Sequence, residues 1–201
     1  MSASLRPNVP WNQTGGGNSN PLPRATLRAL ARRAIIAAGK IRSEPADQAW
    51  VRSILTPAEW DLWTRQSAYE QDHAVQVARR VQRRLAPTVY ASDTLWQSAA
   101  LMHDVGKLQS DLSMGERVIA TLASKVVGVA TARRWAATAT GAKRRLGFYL
   151  IHGELGAGMI RAAGGREEIA AWAEVHQGYQ DIARLGIPPV VVDALLASDV
   201  A

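Results

Sequence analysis

Helix-start signals recur along the chain from residue 56 onwards, and no stretch sustains the alternation of apolar and polar residues that marks a strand. The stretch from Thr56 to Glu59 combines a capping box with a proline at the first helical position, and Ser67 to Glu70 and Ser113 to Glu116 repeat the box. The pattern predicts an all-α bundle. Beyond the short helix that begins at Pro57, helices are expected at about 68–85, 93–104, 114–136, 146–163, 166–177 and 188–199, with Gly164-Gly165 ending the fourth.

The first 55 residues differ from the rest in charge and composition. Residues 1–23 are rich in Gly, Pro, Asn and Ser without a hydrophobic period, which predicts a disordered tail. Residues 24–55 form a basic N-terminal helical extension, in which Ala25 to about Lys40 has amphipathic spacing. Residues 1–55 hold eight basic and two acidic residues, whereas residues 56–201 hold sixteen and fifteen. The extension is therefore expected to dock on the domain formed by residues 56–201, or else to bind nucleic acid or acidic lipid.

Composition excludes several classes of protein. Hydrophobic residues make up 47% of the chain and charged residues 20%, which is typical of a folded domain. There are no cysteines, so disulfides and thiolate zinc sites are excluded and any metal must be held by nitrogen and oxygen. No apolar run is long enough for a transmembrane segment, and residues 1–20 lack the pattern of a secretory signal. We therefore expect a cytoplasmic location.

The four histidines of the chain lie one on each of four predicted helices, at His73, His103, His152 and His176. Ligands from facing helices commonly meet inside a helical bundle. Imidazole together with carboxylate suits Fe, Mn, Co, Ni or Zn. The spacing thus predicts a buried site for one or two divalent transition metal ions.

The stretch from Ala100 to Lys107 contains His-Asp-Val-Gly-Lys and resembles the central signature of the HD phosphohydrolase superfamily, in its HDxGK form. Residues Gln71 to Ala78 are similar to the family's first element, and Ala194 to Asp199 to its last. In the dinuclear branch two more histidines lie between them, as His152 and His176 do here. The resemblance covers about residues 65–201 and implies an HD-domain helical bundle with an N-terminal extension.

The same resemblance implies a role for each matched residue. A first metal would be bound by His73, His103, Asp104 and Asp199, with Asp193 as an alternative to the last. Asp104 would bridge to a second metal held by His152 and His176. Asp104 and Lys107 would be the catalytic residues, with Lys107 meeting substrate phosphate.

The activity that the resemblance implies is metal-dependent hydrolysis of a phosphate ester or anhydride, with a nucleotide as the expected substrate. Residues 117–153 carry basic but no acidic side chains, and Arg144 and Arg145 of this run are candidates for substrate binding, the alternative being an ordinary solvated face. Tyr179 is not followed by the proline of the HD-GYP signature, so a cyclic-di-GMP phosphodiesterase is not predicted. The alternative function is a catalytically silent signalling or nucleic-acid-binding module with an occupied metal site.

Overall fold

The computed structural model describes residues 45–178 and 182–199, and in these ranges it contains ten α-helices and no strand. The all-α prediction is confirmed. The predicted tail and the predicted helix from Ala25 to Lys40 lie outside the described residues. The helices are α1 (Pro45–Ile54), α2 (Pro57–Thr64), α3 (Ala68–Leu85), α4 (Leu95–Met102), α5 (Met114–Ala123), α6 (Val129–Thr138), α7 (Gly141–Leu150), α8 (His152–Ala162), α9 (Glu167–Val175) and α10 (Pro189–Asp199), with 3₁₀ turns at Val105–Gln109 and Ile182–Leu185.

The predicted helix starts agree with the structure where a capping box marks them. Helices α2, α3 and α5 begin directly after Thr56, Ser67 and Ser113. At each start a glutamate three residues after the cap accepts a hydrogen bond from the backbone N–H of the capping residue. The predicted stop at Gly164 is also confirmed, since this residue has a φ of 73° just after α8.

Two helix predictions are wrong, because each predicted helix corresponds to two separate helices in the structure. The segment 114–136 is divided into α5 and α6, with Gly128 in an extended conformation (φ −68°, ψ 150°) before α6. The segment 146–163 starts earlier and is divided at Ile151 (φ −112°, ψ 24°) into α7 and α8. Apolar spacing continues across both breaks, so the sequence pattern does not show them.

The main core is formed by α1, α2, α3, α4, α8, α9 and α10. Helix α3 packs against α4 and α10, and α9 packs against α4 and α8. Val51 of α1 lies fully buried in this core, although residues 24–55 were assigned to the extension; the domain boundary itself stays a prediction. Helices α6 and α7 form a hairpin over a smaller core of Ala132, Ala136, Leu150 and Ile151. None of the helices in the described ranges is long and apolar enough to cross a membrane.

A buried ion pair ties α2 to the start of α9. Glu59 is fully buried, and its carboxylate accepts hydrogen bonds from the Arg166 guanidinium at 2.8 and 3.1 Å and from the Thr56 backbone at 3.0 Å. Burial opposes the charged form of Glu59, but Arg166 and the backbone donor outweigh it, so the pKa of Glu59 lies below its ordinary value. The charged, paired form is therefore the stable one at neutral pH.

We predict that Glu59→Gln lowers the free energy of unfolding by about 2 kcal/mol at pH 7, because it removes the charge that Arg166 pairs with. Since the folded pKa is lowered, the contribution of Glu59 is present above its unfolded pKa, near 4.3, and is lost as the pH falls below it. The two proteins should therefore converge in stability towards pH 3. Urea unfolding at several pH values measures the difference, with exposed Glu167→Gln as the control. A difference independent of pH would contradict this role.

Candidate metal centre

Five helices bring the six predicted ligands to one place. His73 lies in the second turn of α3, His103 and Asp104 directly follow α4, His152 begins α8, His176 directly follows α9, and Asp199 is the last residue of α10. His103, Asp104 and His152 are 2%, 3% and 6% exposed. The ligand atoms of His73, His103 and Asp199 lie within 4.8 Å of one another, and so do those of His103, Asp104 and His176. These buried groups can hold a metal ion.

Asp104 lies at the centre of the cluster and directs its two oxygens to different partners. Oδ1 is 2.9 Å from Nε2 of His152 and 3.6 Å from Nε2 of His176. Oδ2 is 3.3 Å from Nε2 of His103 and 2.5 Å from Nζ of Lys107. Both oxygens of Asp104 therefore lie close to nitrogen atoms of other elements.

Asp199 lies close to two of the histidines. Its Oδ1 is 3.3 Å from Nε2 of His73 and 3.5 Å from Nε2 of His103. Two arginines of α3 hold the end of its helix, since Arg80 donates to the Ser198 carbonyl at 3.1 Å and Arg84 to the Ala197 carbonyl at 3.5 Å. Cations at a helix C-terminus are favourable. The alternative ligand Asp193 is exposed and lines a separate groove beside Arg83, so the geometry favours Asp199.

Three histidines are turned towards the centre by the same local hydrogen bond. Nδ1 of His103, His152 and His176 lies 2.7, 2.6 and 2.6 Å from the carbonyl oxygen three residues earlier. Because a carbonyl only accepts, Nδ1 must carry the proton, which leaves Nε2 of a neutral ring with a lone pair. A hydrogen bond of this kind typically orients a metal-binding histidine.

The Nε2 atoms that result are poorly satisfied by the protein alone. Nε2 of His103 is buried and makes no hydrogen bond of acceptable geometry, although two carboxylates lie near it. Nε2 of His152 and Nε2 of His176 are 3.2 Å apart, so in their neutral forms two lone pairs face each other beside Asp104. A cation among these atoms satisfies all of them, which makes the donor set a good fit for Fe, Mn, Co, Ni or Zn.

The electrostatics of the cluster push its pKa values apart. Burial raises the pKa of Asp104, but Lys107 and His103 outweigh it and hold the pKa well below the ordinary value. Burial would lower the pKa of His103, yet Asp104 and Asp199 raise it well above the ordinary value. Burial, with His103 and His152 nearby, lowers the pKa of His176 to about 4. At neutral pH these directions favour ionised Asp104 and Asp199, a charged His103 and a neutral His176, so a metal ion that binds here would replace the Nε2 proton of His103.

Gly106 fixes the distance between the 3₁₀ turn and α8. A Cβ atom at this position would lie 1.9 Å from the carbonyl oxygen of His152 and 2.5 Å from the backbone nitrogen of Gly156. Only glycine allows so close an approach of the two backbones. The glycine of the His-Asp-Val-Gly-Lys motif therefore brings Asp104 and Lys107 within reach of His152.

Gln177, the residue after His176, holds the junction of α7 and α8. Its Oε1 accepts from the backbone N–H of Gly153 at 2.9 Å, and its Nε2 donates to the carbonyl of Leu150 at 3.3 Å. These backbone groups are thus satisfied by a side chain across the helix break. Gln177 thereby ties the His152 helix to the end of the His176 helix.

A cavity of about 340 Å³ opens onto the centre. Its lining includes five of the predicted ligands together with Lys107. Neither Arg144 nor Arg145 is among the residues that line it: Arg144 lies over the Phe148 ring, and Arg145 pairs with Glu116 at 2.5 Å. The lining also contains Lys125 of the basic run and five residues that were not predicted, namely Thr121, Ser124, Tyr149, Leu150 and Gln177.

Comparison of the chain with protein-family models, with curated proteins and with solved structures gives no match. The assignment of this site therefore rests on its geometry.

We predict that Gly106→Ala lowers both stability and metal content. The added Cβ meets backbone atoms, which cannot rotate away, so the 3₁₀ turn must move from α8 at a cost of about 1–3 kcal/mol. Gly158→Ala is the matched control, because it lies on the exposed side of α8 with nothing within 4 Å of its Cβ. The control should gain up to about 1 kcal/mol from helix propensity. A Gly106→Ala protein that unfolds like the wild type and binds as much metal would contradict the proposed close approach.

His152→Ala distinguishes one metal from two. If Asp104 bridges two ions, loss of His152 should reduce the metal content from about two to about one per chain, because the second ion keeps too few ligands. Elemental analysis of the purified protein measures the ratio. Asp193→Ala removes an exposed carboxylate from α10 and should keep the full content. An unchanged ratio in His152→Ala would support a single ion held by the remaining ligands.

Proposed function

We propose that this protein is a metal-dependent phosphohydrolase of the HD type. One observation carries the proposal: three imidazole Nε2 atoms and the two oxygens of Asp104 converge within 3.6 Å, with a lysine on the same carboxylate. The resemblance of residues 65–201 to the HD superfamily supports it, and the order of the ligands along the chain agrees with that family.

The proposed ligand sets for the two ions share Asp104. His73, His103, Asp104 and Asp199 would hold the first ion, and Asp104, His152 and His176 would hold the second. When bound, such ions lower the pKa of coordinated water towards about 7 and polarise a phosphoryl oxygen.

The chain's own groups complete the chemistry. Asp104 is the proposed proton acceptor as well as the shared ligand. Lys107 lines the cavity and contacts Oδ2 of Asp104, so its flexible stem can bring the ammonium to a phosphate oxygen placed above the centre. There it would stabilise the negative charge that develops on the transferred phosphoryl group.

The substrate in this proposal is a phosphorylated small molecule that enters the cavity with its phosphate towards Asp104. A nucleotide is the substrate predicted from the resemblance. A silent module that binds nucleic acid through its basic N-terminal region is the alternative, and that region lies outside the described residues.

We predict that Lys107→Ala lowers kcat for phosphate release by about 100-fold while metal content is retained, because it removes a charge that acts mainly in the transition state. The measurement is phosphate release by the metal-loaded protein from a panel of phosphate monoesters and nucleotides. Lys143→Ala is the control, since this exposed lysine lies over Trp135 and away from the cavity. A Lys107→Ala protein that releases phosphate as fast as the wild type would contradict the role proposed for Lys107; a structural metal predicts that this variant changes no measurable function.

The panel also decides between the enzyme and the silent module. Turnover of any member supports the enzyme. A metal-loaded protein that is inert across the panel yet binds DNA with a steep dependence on salt would establish the alternative.

A further inference from the structure

The cavity above the metal centre has two chemically different walls. One wall is the centre itself with Lys107. The other is formed by the last turn of α5 and the residues that follow it, with Tyr149 of α7, and it presents the hydroxyl groups of Thr121, Ser124 and Tyr149 and the exposed side chain of Lys125. The second wall is not used by the proposed hydrolysis, so its chemistry concerns the rest of the substrate.

The three hydroxyl groups already donate their protons in hydrogen bonds within the protein. Thr121 donates its Oγ1 proton to the carbonyl of Arg117 at 2.9 Å, and Ser124 donates its Oγ proton to the carbonyl of Thr121 at 2.8 Å. Oη of Tyr149 lies 3.4 Å from Oγ1 of Thr121, and because Thr121 has no second proton, Tyr149 is the donor of that contact. The hydroxyl oxygens of this wall therefore have lone pairs left and no protons.

The hydroxyl oxygens of the second wall are hydrogen-bond acceptors, so they favour the part of a ligand that carries donors. Phosphate oxygens are acceptors too and find no proton on these hydroxyl groups; Lys125 beside them can donate, but the phosphate that reacts must lie at Lys107 and the metal centre. Hydroxyl groups of a substrate are matched, because each can donate to a lone pair that remains on these oxygens, even on Thr121, which already accepts from Tyr149.

The lining of the cavity argues against an aromatic occupant. A volume of about 340 Å³ is at the small end of ligand pockets, roughly 300–1,000 Å³. Among the described residues that line it, the apolar surfaces are those of Leu150, which is 1% exposed, and of the Tyr149 ring, which has Nζ of Lys107 5.7 Å from its centroid. These surfaces offer no flat slot for a nucleobase.

We infer that the substrate is the phosphate monoester of a small polyhydroxylated molecule, a sugar or polyol phosphate. Its phosphate lies at Asp104 and Lys107, and its hydroxyl groups donate to Thr121 and Ser124. The inference rests on the proposed function and narrows it. In the reaction, water adds to phosphorus, the ester P–O bond breaks, and the leaving alkoxide takes up a proton, which gives the free polyol and inorganic phosphate.

The test compares esters that differ in hydroxyl groups alone. Glycerol 3-phosphate and ribose 5-phosphate are set against n-propyl phosphate and adenosine 5′-monophosphate, with kcat/KM of the metal-loaded protein as the readout. We expect the polyol phosphates to exceed propyl phosphate by at least tenfold, because each added hydrogen bond is worth about fivefold to tenfold.

Variants of the second wall test its part directly. Thr121→Val and Ser124→Ala should each reduce the ratio of kcat/KM for ribose 5-phosphate over propyl phosphate by about fivefold. Thr138→Val is the matched control, since Thr138 donates to the Arg134 carbonyl at 2.8 Å in the same way but is exposed and away from the cavity. Calorimetric binding of the phosphonate analogue of ribose 5-phosphate provides the same comparison without turnover.

The outcomes separate the two proposals. If no ester is hydrolysed, the proposed function fails. If esters are hydrolysed but propyl phosphate equals glycerol 3-phosphate, or the nucleotide is preferred, or the ratio is the same in Thr121→Val and Ser124→Ala as in the wild type, the inference about the substrate is overturned while the hydrolase stands.

Discussion

The buried carboxylate of Asp104 is the group on which the arrangement of the helices depends. A carboxylate removed from water costs several kcal/mol unless charged or hydrogen-bonding partners surround it. Here the partners come from separate elements: His103 after α4, Lys107 in the 3₁₀ turn, His152 at the start of α8 and His176 after α9. Packing of α9 against α4 and α8, together with the contact at Gly106, is therefore coupled to the electrostatics of one side chain.

The same local device provides three of the proposed ligands. A helix ends, the next residue or the one after it is a histidine, and its Nδ1 donates to a carbonyl of the last turn, at Ala100, Tyr149 and Ala173. Carbonyls at a helix end lack intrahelical partners, so this bond stabilises the end and fixes the imidazole at once. Local structure and ligand geometry thus have a common cause. His73 differs, since it lies within α3 and reaches the centre through its position on the inner face.

Sequence reasoning succeeded where a residue's own pattern carries the information. Capping boxes predicted the starts of three helices, and the histidines predicted to meet inside the bundle lie close together in the structure, where they could hold a metal ion. It failed where a residue distant in sequence stabilises the local structure. At the helix break before His152, for example, Gln177 satisfies the backbone groups of Leu150 and Gly153. The basic run at residues 117–153 did not reveal that Arg145 pairs with Glu116 of a neighbouring helix. Thr121, Ser124 and Tyr149 of the second cavity wall follow no periodic pattern from which sequence analysis could have predicted them.

Helix α5, which contributes Thr121 to the second wall of the cavity, is held to neighbouring helices by two ion pairs. Arg117 contacts the carboxylate of Glu70, which is 3% exposed and caps α3, while Glu116 pairs with Arg145 of α7. Its apolar Ile119 and Leu122, by contrast, are 63% and 37% exposed. Glu70 and His73 lie three residues apart on one face of α3. Helix α3 therefore carries both the proposed ligand His73 and the partner of Arg117, so the buried Glu70–Arg117 pair, which salt screens little, links α5 to the helix of the centre.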